Sequence, residues 1–234
     1  FVSFLKIIEN ELLGFVDASV NIQTNGILID KTYLTIFKDY RVGLSISIDG
    51  PKVVNDIGRL GFKRESTFEK VISSIKLVQK ISPDLFNGVL SVVNTRSCPE
   101  DVYQFFRDMD IMTMDFLLPD HNWDNPPINI HTPAYGDWLV GLYLAWINEN
   151  NPDVFIGILD TIVRKCFGGR SNNEVFSIDP INFITISASG EYQALDALKS
   201  IGPGYYETGK TVFSAEIDEA LACPNIKSRL NGRL

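Results

Sequence analysis

Two short runs of this chain alternate polar and apolar side chains in a way that would set polar groups in rows. Asn21, Gln23 and Asn25 fall on one face of an extended segment, with Val20 and Ile22 on the other. Ser45, Ser47 and Asp49 do the same in a second segment, opposed by Leu44, Ile46 and Ile48. Amides, hydroxyls and a carboxylate so arranged can hydrogen-bond a polar, zwitterionic ligand. The same alternation also describes an edge pair of strands with one solvated face. Both rows run into glycine, at Gly26 and Gly50, where the backbone can approach a ligand closely or simply turn. Arg59 follows in a segment with Asn55 and Asp56; it could reach back to the Asp49 carboxylate or pair on the surface with Asp56 or Glu65. Farther along, Asp120-His121-Asn122-Trp123-Asp124 sets carboxylates beside a histidine, a set capable of acid–base chemistry near neutral pH. The same residue types also make Asx turns, with Trp123 packed on a rim. His131 lies too close to Pro133 and a helix start to take a role.

The elements that must position these residues alternate in period. Ala18–Gln23, Val42–Ile48, Gly88–Val93 and Met114–Leu118 read as strands, and Lys31–Asp39, Ser66–Ile81 and Pro99–Met109 as helices. Ser66 is a candidate N-cap, with Glu69 completing a capping box. Strand–helix–strand alternation with connections of this size implies parallel pairing and right-handed crossovers, in part of a β/α barrel or an open doubly wound sheet. In both, sites gather at the C-terminal tips of the strands, where the two polar rows end. After Leu118 the pattern breaks into an Asn-, Asp- and Pro-rich loop over 119–133. Two helices follow, about Ala134–Asn148 and Asp153–Phe167, the first with Trp138, Leu139, Leu142 and Trp146 as its apolar face. A small β-hairpin from Asn182 and a short helix near Ile217–Ala222 complete the chain. The expected division is 1–120 for the β/α part, 121–181 for the loop and bridging helices, and 182–234 for a small α+β appendage.

Composition narrows the function classes. The 234 residues are 45% hydrophobic and 11% aromatic, enough for a real core and unlike a disordered chain. A formal charge of -8 without a basic run argues against nucleic acid and anionic membrane as partners. Three scattered cysteines, Cys98, Cys166 and Cys223, form neither a disulfide framework nor a zinc signature, so a reducing cytoplasm is expected. No apolar run reaches the roughly 20 residues of a membrane span.

The motif order carries a resemblance. Gln23-Thr24-Asn25-Gly26 with Leu28 and Asp30, then Ser47-Ile48-Asp49-Gly50-Pro51, Asn55, Arg59 and Thr67-Phe68, resembles the central part of radical S-adenosylmethionine (SAM) maturases with SPASM-type C-terminal domains. The runs Phe116–Asp124 and Tyr135–Leu139, with Gly190-Glu191, Leu195–Lys199 and Thr208-Gly209, are similar to the FxsB-like branch, which forms cyclophane crosslinks in ribosomally made precursor peptides. That resemblance implies an incomplete (β/α) barrel followed by the start of a SPASM-like region in a bacterial cytoplasmic enzyme. It implies [4Fe–4S] clusters and SAM as cofactors, a 5′-deoxyadenosyl radical as the reactive species and a precursor peptide as partner. By the same resemblance Ser47, Asp49 and Arg59 would lie beside the ribose and methionyl carboxylate of SAM, and Gln23 and Asn25 beside SAM or the peptide. Asn94, Asp120, His121, Trp123 and Asp124 would line the substrate, with Asp120 and His121 as catalytic candidates.

The chain departs from that family in having no Cys-x3-Cys-x2-Cys loop, no Gly-Gly-Glu motif and no cysteine cluster for auxiliary sites. Its first strand corresponds to the family's third, and it begins at Phe1. The expectation is an internal segment, unable to cleave SAM by itself. Two other readings stay open: a cluster-free relative that only binds a precursor peptide, and a barrel hydrolase using Asp49, Asp120 and Asp124 with His121.

Overall fold

The computed structural model describes residues 1–12, 15–127, 133–171 and 183–230. His131, and Asn182 at the expected hairpin start, lie outside them. The chain divides into two compact units, Phe1–Leu118 with Ala134–Gly157, and Pro119–Pro133 with Ile158–Leu234.

The first unit is built on five parallel strands, β1 (Asn21–Thr24), β2 (Gly43–Ser47), β3 (Phe86–Val92), β4 (Thr113–Leu117) and β5 (Phe155–Ile156), lying side by side in chain order. Sequential order settles the choice between the two expected sheets. A doubly wound sheet reverses its strand order at a switch point, and this one never does. The sheet is an open piece of a β/α barrel. Helices α1 (Val2–Glu11), α2 (Lys31–Asp39), α3 (Lys52–Gly58), α4 (Phe68–Ile81), α5 (Pro99–Asp108) and α6 (Ala134–Glu149) complete the unit. The strand face carrying Leu44, Ile46, Val89, Met114 and Phe116 is buried, as are Phe37, Val71, Ile75, Val78, Val102 and Phe106 of the helices. An aromatic series, Phe106 to Phe116 at 6.2 Å and Phe116 to Trp138 at 5.4 Å, joins α5, β4 and α6. Tyr103 and Arg107 of α5 both bond Glu149 at the end of α6. Burial and that carboxylate push the Tyr103 hydroxyl well above its ordinary pKa, so it stays a donor.

One backbone position sets the register. The β2–β3 pairing shifts by a residue between Leu44 and Ser45: Asn87 is the extra residue on β3, and the next residue, Gly88, has φ of 102°. A Cβ there would stand 2.0 Å from the Thr113 carbonyl oxygen.

Several local expectations change. Helix α4 starts at Phe68 with Thr67 at the N-cap and no side-chain cap bond, so the Ser66 capping box does not form. The Ser66 hydroxyl instead donates to Asp56 at 2.8 Å and accepts from Lys52. The segment after Gly50 is helix α3, and α1 also forms, neither of which the sequence reading anticipated. The helix expected from Asp153 opens as strand β5 and becomes α7 (Gly157–Cys166) only afterwards. Helix α6 is apolar nearly all round: Trp138 and Leu142 are buried, while Val140, Tyr143, Leu144 and Ile147 are exposed.

In the second unit, β6 (Thr185–Ile186), β7 (Glu191–Gln193) and β8 (Glu207–Thr211) form an antiparallel sheet in the order β6-β7-β8. With it go the 3₁₀ turn Asp196–Ser200, α8 (Ile217–Leu221) and α9 (Pro224–Leu230). A capping box between Glu216 and Glu219 starts α8.

Candidate functional site

Strand register places the polar rows on one shared face. Gln23 pairs with Ser45, Ser47 with Leu90, Leu90 with Asp115 and Val92 with Leu117. Registered neighbours in a parallel sheet point the same way, so this face is polar over β1 and β2 and largely apolar over β3 and β4. It is the partly exposed face, opposite the one packed against helices. Because all five strands are parallel, their C-terminal ends form one rim, and the polar groups cluster there.

Gln23 Nε2 donates to Ser47 Oγ at 2.8 Å, joining the two rows directly. Asp49 is the centre of a tighter arrangement. Its Oδ1 accepts from Arg59 Nη2 at 2.8 Å and from the Val92 backbone N–H at 2.9 Å. The carboxylate thereby bridges β2 and β3 at the rim, where ladder bonds run out, and fixes the guanidinium over it. Arg59 reaches back to Asp49 rather than pairing with Asp56, which is bound by Lys52 at 3.0 Å. Asn55, fully buried on α3, accepts from the Asp49 N–H at 3.3 Å. Thr67 donates to the Arg59 carbonyl at 3.0 Å. Arg59 Nε is buried and has no acceptor, an unused donor beside a fixed carboxylate.

Asn25 sits past the tip of β1, where its Oδ1 accepts from Ile27 N at 3.2 Å and its side chain is exposed. The turn is held from behind by Ser74 of α4, whose buried hydroxyl donates to the Gly26 carbonyl at 2.7 Å. Gly26 has φ of 76° and lies against Ile46, so this turn needs a glycine. Asn94, beyond β3, accepts from Arg96 N at 3.0 Å and from the Ser97 hydroxyl at 2.7 Å through its carbonyl, a self-contained turn.

The loop after β4 belongs to the second unit. His121, Asn122, Trp123, Asp124, Ser200 and Ile201 line a cavity of about 340 Å³. Asp120 is exposed and is not among its lining residues. His121 Nδ1 donates to the Asn125 carbonyl at 3.2 Å, and Asn122 Oδ1 accepts from Asn125 N at 2.7 Å. Asn122 Nδ2 ties the loop to the Ser200 carbonyl at 2.7 Å. Turn chemistry thus occupies much of the polar capacity of His121 and Asn122. Trp123 is 93% exposed, not packed on a rim as the turn reading expected.

The structure therefore brings Gln23 and Ser47, and Asp49 and Arg59, together as two bonded pairs at the rim. It leaves Asn25 and Asn94 in rim turns and gathers His121, Trp123 and Asp124 around a separate cavity. Three contributors escaped the sequence reading: Ser74, Asp115 and the Val92 N–H. A serine on the apolar face of α4 is a readable signal for the first, and alternation within β4 for the second. A backbone donor leaves no signal at all.

The three cysteines do not fit an iron–sulfur cluster. Cys98 precedes α5, Cys166 ends α7 and Cys223 precedes α9; the first two are exposed and the third half-buried. Among the described residues, no group of three His, Cys, Asp or Glu could hold a metal ion. No helix of these residues is long and apolar enough to cross a membrane.

No protein-family model matches the chain. Among curated proteins, it is 24% identical over 161 residues to the cysteine-type anaerobic sulfatase-maturating enzyme of Clostridium novyi, spanning 66% of this chain and 42% of that one. It is 24% identical over 167 residues to the serine-type enzyme of Bacteroides thetaiotaomicron, spanning 63% of this chain and 40% of that one. The chain thus spans about two fifths of the length of these relatives. Among solved structures, anSMEcpe with bound AdoMet superposes with a TM-score of 0.81 at 18% identity, over 97% of this chain and 63% of that one. The form with AdoMet and the Cp18Cys peptide gives 0.77 at 19% identity, over 98% and 64%. The chain therefore has the α/β fold of the radical SAM sulfatase-maturating enzymes over nearly all its length, as an open parallel sheet rather than a closed barrel.

Proposed function

We propose that this chain forms the SAM-binding and peptide-facing part of a radical SAM maturase acting on a ribosomally made precursor peptide in a bacterial cytoplasm. The chemistry we assign to the complete enzyme is carbon–carbon crosslinking of the cyclophane type. The observation that carries the reading is the Asp49–Arg59 clasp beside the Gln23–Ser47 bond, on the rim of a fold whose solved examples bind AdoMet and peptides. The residues present suit SAM. The unused Arg59 Nε is a donor for the methionyl carboxylate, and Ser47 with Asp49 offers partners for the ribose hydroxyls. When bound and reductively cleaved, SAM supplies hydrogen-atom abstraction, chemistry that belongs to the cofactor. The chain's own residues bind and orient: Arg59 is held by Asp49 and Thr67, and Gln23 and Asn25 present amides at the tip of β1. Asn94, Asp120, His121, Trp123 and Asp124 are proposed to face the peptide. The cysteines do not fit a cluster, and the chain by itself is proposed not to cleave SAM.

Calorimetric titration of the 234-residue chain with SAM tests the site. Binding that weakens at least about tenfold in Arg59→Ala supports it. A folded chain that gives no heat at millimolar SAM sinks it. Anaerobic treatment with iron, sulfide and dithionite is expected to yield no 5′-deoxyadenosine, and its formation would overturn the assignment of inactivity.

The poor fit of the cysteines also favours a second reading, a cluster-free relative that only binds the precursor peptide. Peptide titrations with and without SAM separate the two, since only the first reading couples the ligands.

A further inference from the structure

Trp123 is 93% exposed, and among the described residues no hydrogen bond or ring contact holds it. A tryptophan left in water forfeits the burial that its large apolar area offers, and exposed rings of this kind concentrate at binding surfaces. Trp123 forms one wall of the cavity of about 340 Å³ in the second unit, which Asp124, Ser200 and Ile201 also line. Ile201 is itself 57% exposed. That volume lies at the small end of the roughly 300–1,000 Å³ typical of ligand pockets, room for a side chain with its flanking backbone. The walls thus combine aromatic and aliphatic surface with a carboxylate.

The charge here is one-sided. Asp124 has neither an ion pair nor a hydrogen bond among the described residues, and the exposed Asp120 is equally unpaired. Other carboxylates of the chain are matched, Asp49 by Arg59, Asp56 by Lys52 and Asp160 by Arg164. No Lys or Arg occurs between Arg107 and Arg164, so the loop has no cation of its own to offer. Lys199, next in sequence to Ser200, is held by Asp196 at 2.7 Å and lies over the Tyr206 ring at 5.7 Å. An aromatic face beside an unpaired carboxylate suits a cation, since the ring quadrupole attracts it and the carboxylate accepts its hydrogen bonds.

We propose that this cavity is a subsite for a cationic side chain, arginine above all, of the peptide that the chain receives; the inference rests on the peptide-facing role assigned to the loop. The guanidinium would lie on the Trp123 ring with its N–H fork on the Asp124 carboxylate, and its methylene stem would run along Ile201. Lysine is a weaker fit, because its ammonium is more strongly hydrated and cannot stack. An apolar side chain is a poorer occupant still, because it would cover the Asp124 carboxylate without pairing it. The loop would thereby select peptides that carry a basic residue, and the chain's charge of -8 would help to draw them in.

The test uses the whole chain and three acetylated, amidated peptides in which glycines flank arginine, citrulline or leucine. Citrulline keeps the shape of arginine and removes its charge. Binding is read by NMR from the Trp123 indole N–H, identified by its loss in Trp123→Ala, and from the backbone amides of Asn122 and Ile201. The arginine peptide should shift these signals with a dissociation constant in the millimolar range, as fits one side chain. Citrulline and leucine should bind at least about fivefold more weakly, and raising the salt from about 0.05 to about 0.5 M should weaken arginine about threefold. Asp124→Asn should weaken arginine about fivefold and remove its advantage over citrulline. Trp123→Ala should weaken it about tenfold, with Trp123→Phe between the two because a smaller ring face remains. Both positions are exposed, so the far-UV spectrum and melting temperature should not change. Equal affinity for arginine and citrulline, tighter binding of leucine, or no shift at about 50 mM arginine peptide would each overturn the proposal. These readings are taken without SAM. SAM binding without an arginine preference removes the subsite alone, whereas an arginine preference without SAM binding removes the SAM assignment and leaves the subsite standing.

Discussion

The Asp49 clasp and the His121 loop are the two polar clusters that the sequence puts forward, and they are held in opposite ways. Asp49 bonds Arg59, ten residues away, and Val92, 43 residues away, so it joins separate elements. The loop bonds within itself, across three and four residues, with Asn122 to Ser200 as its long-range tie. A cluster cross-linked between elements is as rigid as the sheet beneath it and can hold a ligand in fixed geometry. A cluster closed by turn bonds keeps its own shape but can adapt, as would suit the peptide-facing role proposed for it. The difference lies in connectivity, since both clusters contain carboxylates and amides.

Substitutions can break or sharpen that contrast. Asp49→Ala should cost the most, about 2–3 kcal/mol by urea unfolding, because it strands a part-buried guanidinium and the Val92 N–H. Asp49→Asn should recover about half, since an amide oxygen still accepts from Val92. Ser74→Ala should cost about 1–2 kcal/mol and loosen the Asn25 turn, seen as faster exchange at Ile27 and Ile29. Asn122→Ala should cost about 1 kcal/mol, with changes confined to the loop and to the turn at Ser200.

A third clasp, between Arg107 and Glu149, gives the pH control. The bond from Arg107 holds Glu149 below the ordinary glutamate range. A depressed carboxylate stabilises above its unfolded pKa and loses that contribution as pH falls through the folded one. The contribution, about 0.5–1 kcal/mol, should therefore be present at neutral pH and fade below about pH 4.5, and Glu149→Gln should flatten that part of the profile. His121→Ala should have the smallest effect, under about 0.5 kcal/mol. A cost equal to that of Asp49→Ala would erase the contrast between a clasped rim and an adaptable loop.

Alternation made the polar face legible before any coordinates: Gln23 and Ser47 do meet, and Asp49 does find Arg59. Helical spacing likewise gave α2, α4 and α5. What stayed hidden has definite causes. Strand β5 is two residues long, too short for any period to register. Helix α3 carries Asn55 and Asp56 in its middle, residue types that read as loop and here are compensated by bonds from Asp49 and Ser66 outside the helix. Ser66 looked like a cap because capping chemistry is local, yet Lys52 and Asp56 claimed its hydroxyl from another helix. Barrel and doubly wound sheets share one periodicity, so only strand order could tell them apart.

Gly88 sets a limit on how this face can change. The residues around it on this face, Ser45, Leu90 and Asp115, project side chains that evolution or a designed library could exchange to suit another ligand. Position 88 offers no such freedom, because any side chain there would run into the Thr113 carbonyl while holding a conformation that L-residues avoid. The middle of the face is thus a fixed seam between its polar and apolar halves. Drift in specificity has to proceed on either side of it, one half at a time.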